Sequence, residues 1–407
     1  MLLFACGDEA LTKPGNGGDD GDIVLLPQPE PKTYPQARNG EAILGNPDYQ
    51  AISYGPWRTT VRESGDKVPT VAQQVEDMKI LSAMGIKVLR TYNTQGFIGP
   101  DGKSSTENLL AAIAQLQNED PTFEMYVMLG VWIDALDSWS DKVPNPTLDS
   151  PQNAFEIAKA KELATQYPEI VKVIAVGNEA MVAWAPYHVI PKIILNHVND
   201  LQQWKQQSDD TKDIWITTSD NHAVWSGDDA NGNYGDQADL KALIKAVDYI
   251  SVHTYAFHDT FHHPEFKEAW KVPVSEQGLD KQTQIDKAME RAHKQTMQQI
   301  KAAQVYVNGV DKTKPFHIGE TGWSSLSTEG LGDAGTRAAD EYKQKRFYDD
   351  MRKLTDEFGA SLFFFQAFDE PWKGDPNNPS HSEKHFGLID IDCGVKYVAW
   401  DKVETLN

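Results

Sequence analysis

From about Asp48 onward the chain alternates short apolar, β-branched runs with longer stretches in which apolar residues recur every three or four positions. The short runs have the length and composition of strands, and the longer ones have the period of amphipathic helices. Eight runs carry the strand pattern: Ala51 to Gly55, Val88 to Tyr92, Met125 to Trp132, Val171 to Glu179, Trp215 to Asp220, Tyr249 to Tyr255, Phe316 to Trp323 and Leu362 to Phe368. The helical period is plain in Val71, Val75, Met78 and Leu81, and again in Phe347, Met351, Leu354 and Phe358, each set lying on one face. Strand and helix in regular alternation predict an α/β protein whose parallel strands are joined by crossover helices. Eight strands with seven clear helical segments between them favour a closed (β/α)8 TIM barrel over an open doubly wound sheet. Chemistry in such a barrel belongs at the C-terminal ends of the strands. The longest irregular connection, Ala256 to Lys281, leaves from one of those ends and is expected to form a lid or groove wall.

Residues 7–48 break the pattern. They are rich in Gly and Pro, carry an acidic cluster at Asp19, Asp20 and Asp22, and show little apolar periodicity, which is the composition of a tether. The expected organisation is a leader over 1–48 and one catalytic-size domain over 49–407. Within the leader, Leu3-Phe4-Ala5-Cys6-Gly7 resembles the lipobox at which bacterial lipoprotein precursors are cleaved and acylated on the cysteine. Only five residues precede Cys6, so the charged and most of the apolar part of a signal peptide are missing, and the sequence reads as a truncated start or mis-called initiator, with a coincidental Ala-Cys in a cytosolic protein as the alternative. No run approaches the roughly 20 apolar residues of a membrane span, so any membrane attachment is expected through lipid on Cys6. The expected location is extracytoplasmic, as a surface or periplasmic lipoprotein or a secreted protein.

Charge narrows the partners. Against 38 Lys and Arg stand 60 Asp and Glu, a formal net charge of −22, which argues against nucleic acid and anionic lipid surfaces. Cys6 and Cys393 are the only cysteines, so neither a disulfide framework nor a Cys-rich zinc site is expected. No phosphate-cradling glycine loop or dinucleotide fingerprint occurs, and no cofactor is expected. His258 and His262 have the spacing of two metal ligands on a helix but lack the accompanying Glu, and read as polar lid residues. The 11 Trp and 14 Tyr provide more flat aromatic faces than a core of this polarity requires, and sugar binding is one use for them. A monomer is expected.

Two strand ends stand out. The fourth run finishes Val176-Gly177-Asn178-Glu179 and the seventh finishes Ile318-Gly319-Glu320-Thr321-Gly322-Trp323. Each delivers a carboxylate to the rim, on opposite sides of the barrel mouth. Carboxyl groups about 5–5.5 Å apart suit a retaining glycosidase, in which one protonates the leaving oxygen and the other attacks the anomeric carbon. Rim carboxylates held in ion pairs would give the same pattern. Trp132, Trp184, Trp323 and Trp372 fall at the same rim, where indoles suit a groove that stacks on pyranose rings.

The stretch Phe316-His317-Ile318-Gly319-Glu320-Thr321-Gly322-Trp323 resembles the nucleophile motif of glycoside hydrolase family 17, the endo-1,3-β-glucanases and related glucanosyltransferases. Val176-Gly177-Asn178-Glu179 is similar to the acid/base motif of the same clan, and Tyr54-Gly55-Pro56, Leu89-Arg90-Thr91-Tyr92 and Phe368-Asp369-Glu370-Pro371-Trp372-Lys373 match in order. The resemblance implies a retaining, cofactor-free endo-1,3-β-glucanase acting on a laminarin-like polysaccharide. It makes Glu320 the nucleophile and Glu179 the acid and then base, with Asn178 on the sugar 2-hydroxyl. Arg90 is expected to keep Glu320 charged and Tyr255 to donate to it, while Glu179 is expected in a drier, less cationic setting. Tyr54, Tyr92, Trp132, Trp184, Trp323, Phe368, Glu370, Trp372 and Lys373 complete the expected groove. A 1,3-β-glucanosyltransferase and a non-catalytic glycan-binding lipoprotein are the alternatives. Ser324, where a Pro is common, and Val252-His253-Thr254-Tyr255, where an Asn-containing version is usual, depart from the pattern.

Overall fold

The computed structural model describes residues 23–30, 35–227, 237–333, 335–391 and 396. Among the described residues ten strands run in chain order: β1 (Gln50–Ser53), β2 (Ile86–Arg90), β3 (Tyr126–Val131), β4 (Ala135–Leu136), β5 (Asn145–Asp149), β6 (Val171–Asn178), β7 (Trp215–Asn221), β8 (Ile250–His253), β9 (Phe316–Gly322) and β10 (Leu362–Phe365). Eight of them close a barrel in the order β1-β2-β3-β6-β7-β8-β9-β10, every neighbour pair parallel. The remaining two, β4 and β5, form a small antiparallel hairpin at the mouth that the sequence pattern did not announce.

The helices are α1 (Val71–Ala83), α2 (Ser105–Glu119), α3 (Pro151–Gln166), α4 (Pro191–Lys205), α5 (His222–Trp225), α6 (Gln237–Ala246), α7 (Ala256–His262), α8 (Pro264–Trp270), α9 (Lys281–Val310) and α10 (Glu341–Phe358). Their ends obey local chemistry. Thr70 with Gln73 and Ser104 with Glu107 close reciprocal capping boxes on α1 and α2, and Gly359 ends α10 in the left-handed conformation.

Alternation along each strand divides the apolar residues between two cores. Ala51, Val88, Tyr126, Met128, Val173, Ala175, Tyr249 and Phe363 face inward and fill the lower barrel. Residues of opposite parity, such as Ile52, Leu89, Val127, Ile174, Val252 and Ile318, pack outward beneath the helices. Filling the bottom with side chains leaves only the upper mouth for polar groups.

Two sequence expectations are corrected here. The domain does not begin at residue 49: Ile43 and Leu44 are buried at 0% and 1% exposure against the interior core, with Ala37 beside them. Further upstream, Gln28 exchanges two hydrogen bonds with the backbone of Phe316 at the start of β9, and Leu26 does the same with the Gln304 side chain on α9. Short apolar pairs between Gly and Pro have no period, so their burial left no trace in the pattern. Secondly, the segment after β8 is less irregular than expected, because α7 and α8 form within it. His263 caps α8 by accepting from Phe266 N at 3.1 Å, and Pro264 supplies the first helical position.

Leu44→Ala is therefore expected to lower unfolding free energy by about 2–5 kcal/mol, the cost of emptying a closed core site. Equilibrium denaturation measures it; a change within experimental error would return this segment to the tether.

Candidate active site

Simple alternation cannot bring Glu320 into the barrel mouth, because Ile318 of the same parity packs outward. A register irregularity resolves this. Val252 and His253 of β8 are consecutive, yet pair with Ile318 and Glu320 of β9, so that Gly319 is an extra residue. A methyl group on Gly319 would stand 2.0 Å from Ser251 Oγ and 2.5 Å from Ser219 Oγ, so any side chain at the bulge would have to displace both hydroxyls. The same device operates on β6, where Ala175 and Asn178 pair with Thr217 and Ser219. Gly177 takes φ +86° in that irregularity, and Glu179 itself takes φ +44°. A left-handed backbone at a residue with a side chain costs on the order of 1–3 kcal/mol.

Glu320 sits in a nest of donors. Arg90 Nη1 pairs with its Oε2, Tyr92 donates to the same oxygen at 2.8 Å, and Tyr255 donates to Oε1 at 2.6 Å. Burial works against the carboxylate's charge, but Arg90, His253, the Tyr255 hydroxyl and Lys373 outweigh it and hold the group down to about 2. The second nitrogen of Arg90 donates to Asn178 Oδ1 at 2.5 Å, so one buried guanidinium joins the ends of β6 and β9.

Glu179 has weaker partners. His253 Nδ1 lies 3.3 Å from its Oε1, and Asn221 Nδ2 lies 3.4 Å from the same atom. His253 is fully buried, and its Nε2 stands 2.6 Å from Ser219 Oγ, which in turn is 2.8 Å from Ser251 Oγ. Asp220 turns beneath Glu179 and accepts from Met181 N at 2.9 Å. Burial, reinforced by the charge of Glu179, pushes the Asp220 carboxyl well above the usual carboxylate range. The environment of Glu179 is thus less cationic than that of Glu320, one histidine against a bonded arginine.

These groups lie in a groove of about 2730 Å³ across the mouth, several times the size of a pocket for one small molecule. One wall is aromatic: Trp132 meets Tyr187 at 4.8 Å between centroids, and Trp139 of the β4–β5 hairpin stacks on Tyr187 at 5.9 Å. Glu156 of α3 ties this wall to the neighbouring loop, accepting from Thr94 N at 2.8 Å, Thr94 Oγ1 at 2.9 Å, Gln95 N at 3.0 Å and Trp132 N at 3.2 Å. Among the described residues no group of three or more His, Cys, Asp or Glu is placed to hold a metal ion.

The sequence profile of the BtgE/BtgC glycoside hydrolase domain matches residues 51–387. The chain belongs to this family. A crystal structure of an endo-laminarinase from Formosa Hel1_33_131 is 47% identical, with a TM-score of 0.83, covering 91% of this chain and 89% of that one. A probable glucan endo-1,3-beta-glucosidase (btgC) of Aspergillus terreus is 23% identical over 96% of this chain, and a glucan 1,3-beta-glucosidase of Schizosaccharomyces pombe is 26% identical over 76% of it. The chain spans 49% of the Aspergillus protein and 75% of the Schizosaccharomyces one. The glycoside hydrolase family 17 β-1,3-glucanosyltransferase of Rhizomucor miehei, 18% identical with a TM-score of 0.55, shares the fold.

Of the residues expected in this BtgE/BtgC domain's groove, Arg90, Tyr92, Asn178, Glu179, Tyr255 and Glu320 converge at its centre. Trp132, Trp184, Glu370, Trp372 and Lys373 line its walls. Trp323 does not join them. Three residues beyond Glu320, it has the opposite parity and is buried at 0% exposure among Phe257, Trp270 and Phe347, its Nε1 donating to Ala338 O. Phe368 is likewise buried and meets the ring of Tyr54 edge-on. Tyr54 borders the groove but is 2% exposed, and its hydroxyl is committed to Asp77 of α1 at 2.7 Å. Glu370 pairs with Lys373 at 2.7 Å. His258 packs on Tyr255 and Phe386, and lies 3.5 Å from Glu383. Cys6 lies outside the described residues.

Sequence reasoning missed His253 as a partner of Glu179, and also Asp220, Asn221, Tyr187, Trp139 and Glu156. Asp220 ends a predicted strand and could have been found by the rule that exposed Glu179, whereas His253 lies two residues inside its predicted strand and ends only the observed β8. The Trp139 wall depends on the hairpin and Glu156 on a helix, neither of which that rule covers.

Removing the cation should release Glu320. Arg90→Met is expected to raise its titration from about 2 to 4.5 or above, followed by carboxyl-carbon NMR. Because the folded carboxyl titrates below its unfolded value, the stability it contributes is present above pH 4.5 and is lost as pH falls towards 2. Arg90→Met should therefore be less stable than the parent at neutral pH, and the gap should shrink in acid. An unchanged Glu320 titration would deny Arg90 this role.

Proposed function

We propose that this chain is a retaining glycoside hydrolase that cleaves 1,3-β-glucan within the polymer. The observation that carries the reading is the pairing of two carboxylates at the ends of barrel strands in an open groove, Glu320 bonded to a buried arginine and two tyrosines, and Glu179 in a less cationic setting. The 47% identity to a protein titled an endo-laminarinase supports the laminarin-like substrate. In this reading Glu320 attacks the anomeric carbon while Glu179 gives its proton to the departing glucan oxygen. Glu179 then takes a proton from water, which hydrolyses the glycosyl-enzyme and frees Glu320. The donors around Glu320 fix it beneath the sugar and keep its charge at every working pH. Asn178, oriented by Arg90, offers its amide N–H to the 2-hydroxyl.

A groove too large for a single sugar supports cleavage inside a chain, and a neutral polymer suits a surface of net charge −22. We further propose an extracytoplasmic monomer, with lipid on Cys6 as its attachment where the lipobox is processed; fatty-acid labelling abolished by Cys6→Ser tests this.

The decisive experiment follows newly formed anomeric protons by NMR during the first minutes on a linear 1,3-β-glucan, together with product sizes. β-Anomers in short products are expected; α-anomers would overturn the mechanism, and products longer than the substrate would mark a transferase. Glu320→Gln should lower kcat by more than about a thousandfold while retaining glucan binding. Glu179→Ala should slow glucan cleavage far more than that of activated aryl glycosides, which leave without a proton. Equal losses on both would move the acid role elsewhere, with Glu370 the first alternative.

A further inference from the structure

Trp372 is one of the four indoles that the sequence offers as sugar platforms, yet one of its faces is already covered. The guanidinium carbon of Arg62 lies 3.4 Å from the ring centroid, and Phe97 flanks the same cation at 5.5 Å. Trp57 meets Phe97 edge-on at 5.3 Å and closes this corner of the groove. A pyranose cannot stack where the guanidinium lies.

Stacking satisfies the flat face of a guanidinium and leaves its five N–H donors pointing sideways. Among the described residues none accepts a hydrogen bond from Arg62 or forms an ion pair with it. The nearest suitable carboxylate, Glu370, is engaged by Lys373 at 2.7 Å and reaches Arg62 only through its field. Trp372 Nε1 is also buried with no acceptor. A half-buried guanidinium with no acceptor from the protein is incompletely satisfied. It presents donors alone, so a ligand docking on it must bring acceptor oxygens. Glu370 and Lys373 balance each other beside it, which suits a neutral ligand.

Resting on the glucan-cleaving reading above, the geometry points to a glucosyl subsite at Arg62 and Trp372, read by hydrogen bonds from the guanidinium edge to the sugar's oxygens. The indole serves as a shelf that orients Arg62. Lys373, whose charge acts on Glu320, stands between this corner and the reacting carbon, with its Nζ 5.4 Å from the Trp372 centroid. The subsite therefore holds a unit away from the bond being cleaved. It acts on the affinity for longer chains, and Arg62 is a specificity-determining residue.

The test uses the whole chain and a series of linear laminari-oligosaccharides. Cleavage by the parent protein comes first, and its absence would sink the glucanase reading independently of this one. With cleavage established, Arg62→Ala is expected to lower the ratio of kcat/KM on long over short oligosaccharides by about 10–100-fold, the loss of a hydrogen bond from a charged donor, mainly through KM. Trp372→Ala, which removes the shelf that orients Arg62, should lower it several-fold. In the Glu320→Gln background, laminarihexaose should bind more weakly when Arg62→Ala is added. An unchanged ratio, or tighter hexaose binding through an uncovered indole, would overturn the subsite. So would an equal loss on every chain length.

Discussion

A guanidinium and a carboxylate, both withdrawn from water at the centre of a barrel mouth, set the terms for the rest of this protein. Neither charge is tolerable there alone, and together they are worth keeping only if their geometry is held. Arg90 spends one terminal nitrogen on Glu320 and the other on Asn178, its buried Nε having no acceptor, while Tyr92 and Tyr255 donate to the carboxylate. The strands that supply these groups are β2, β6, β8 and β9 with their immediate continuations, so the pair can form only when the sheet has closed. Below it, the side-chain plug of Tyr126, Met128, Tyr249 and Phe363 excludes water from the underside.

The architecture was legible because burial on both faces of a parallel strand and on one face of each helix is written directly in the apolar pattern. All eight barrel strands fall where that pattern placed them, and the apolar stripes of α1 and α10 lie on the core side. Glu179 and Glu320 were legible because an apolar run ending in glycine and a carboxylate is an unusual way to finish a strand. What hid from the sequence was side-chain direction. Trp323 and Phe368 sit at the right height but on the wrong side of the sheet, and a bulge at Gly319 decides which residues of β9 see the groove. An extra residue in a ladder has no periodic signature.

Other omissions have the same origin. His253 stood in view as a departure from a familiar pattern, but its meaning depends on Ser219 and Ser251, which come from two neighbouring strands. Ile43 and Leu44 look like loop residues until the barrel bottom is there to receive them. Trp372 was correctly placed at the rim, while the cation that covers it comes from a loop more than three hundred positions earlier. Contacts between distant segments are the part of a site that local pattern cannot carry.

The backbone at Glu179 has a further consequence for anyone who would alter this protein. A left-handed residue relaxes when its side chain is trimmed to glycine, a gain of about 1 kcal/mol or more. Selection for thermal endurance alone would thus favour losing the very carboxylate on which proton transfer is proposed to depend. Screens that rank variants by melting temperature will be drawn towards a hardier and inert barrel, so Glu179 has to be fixed before any such search begins.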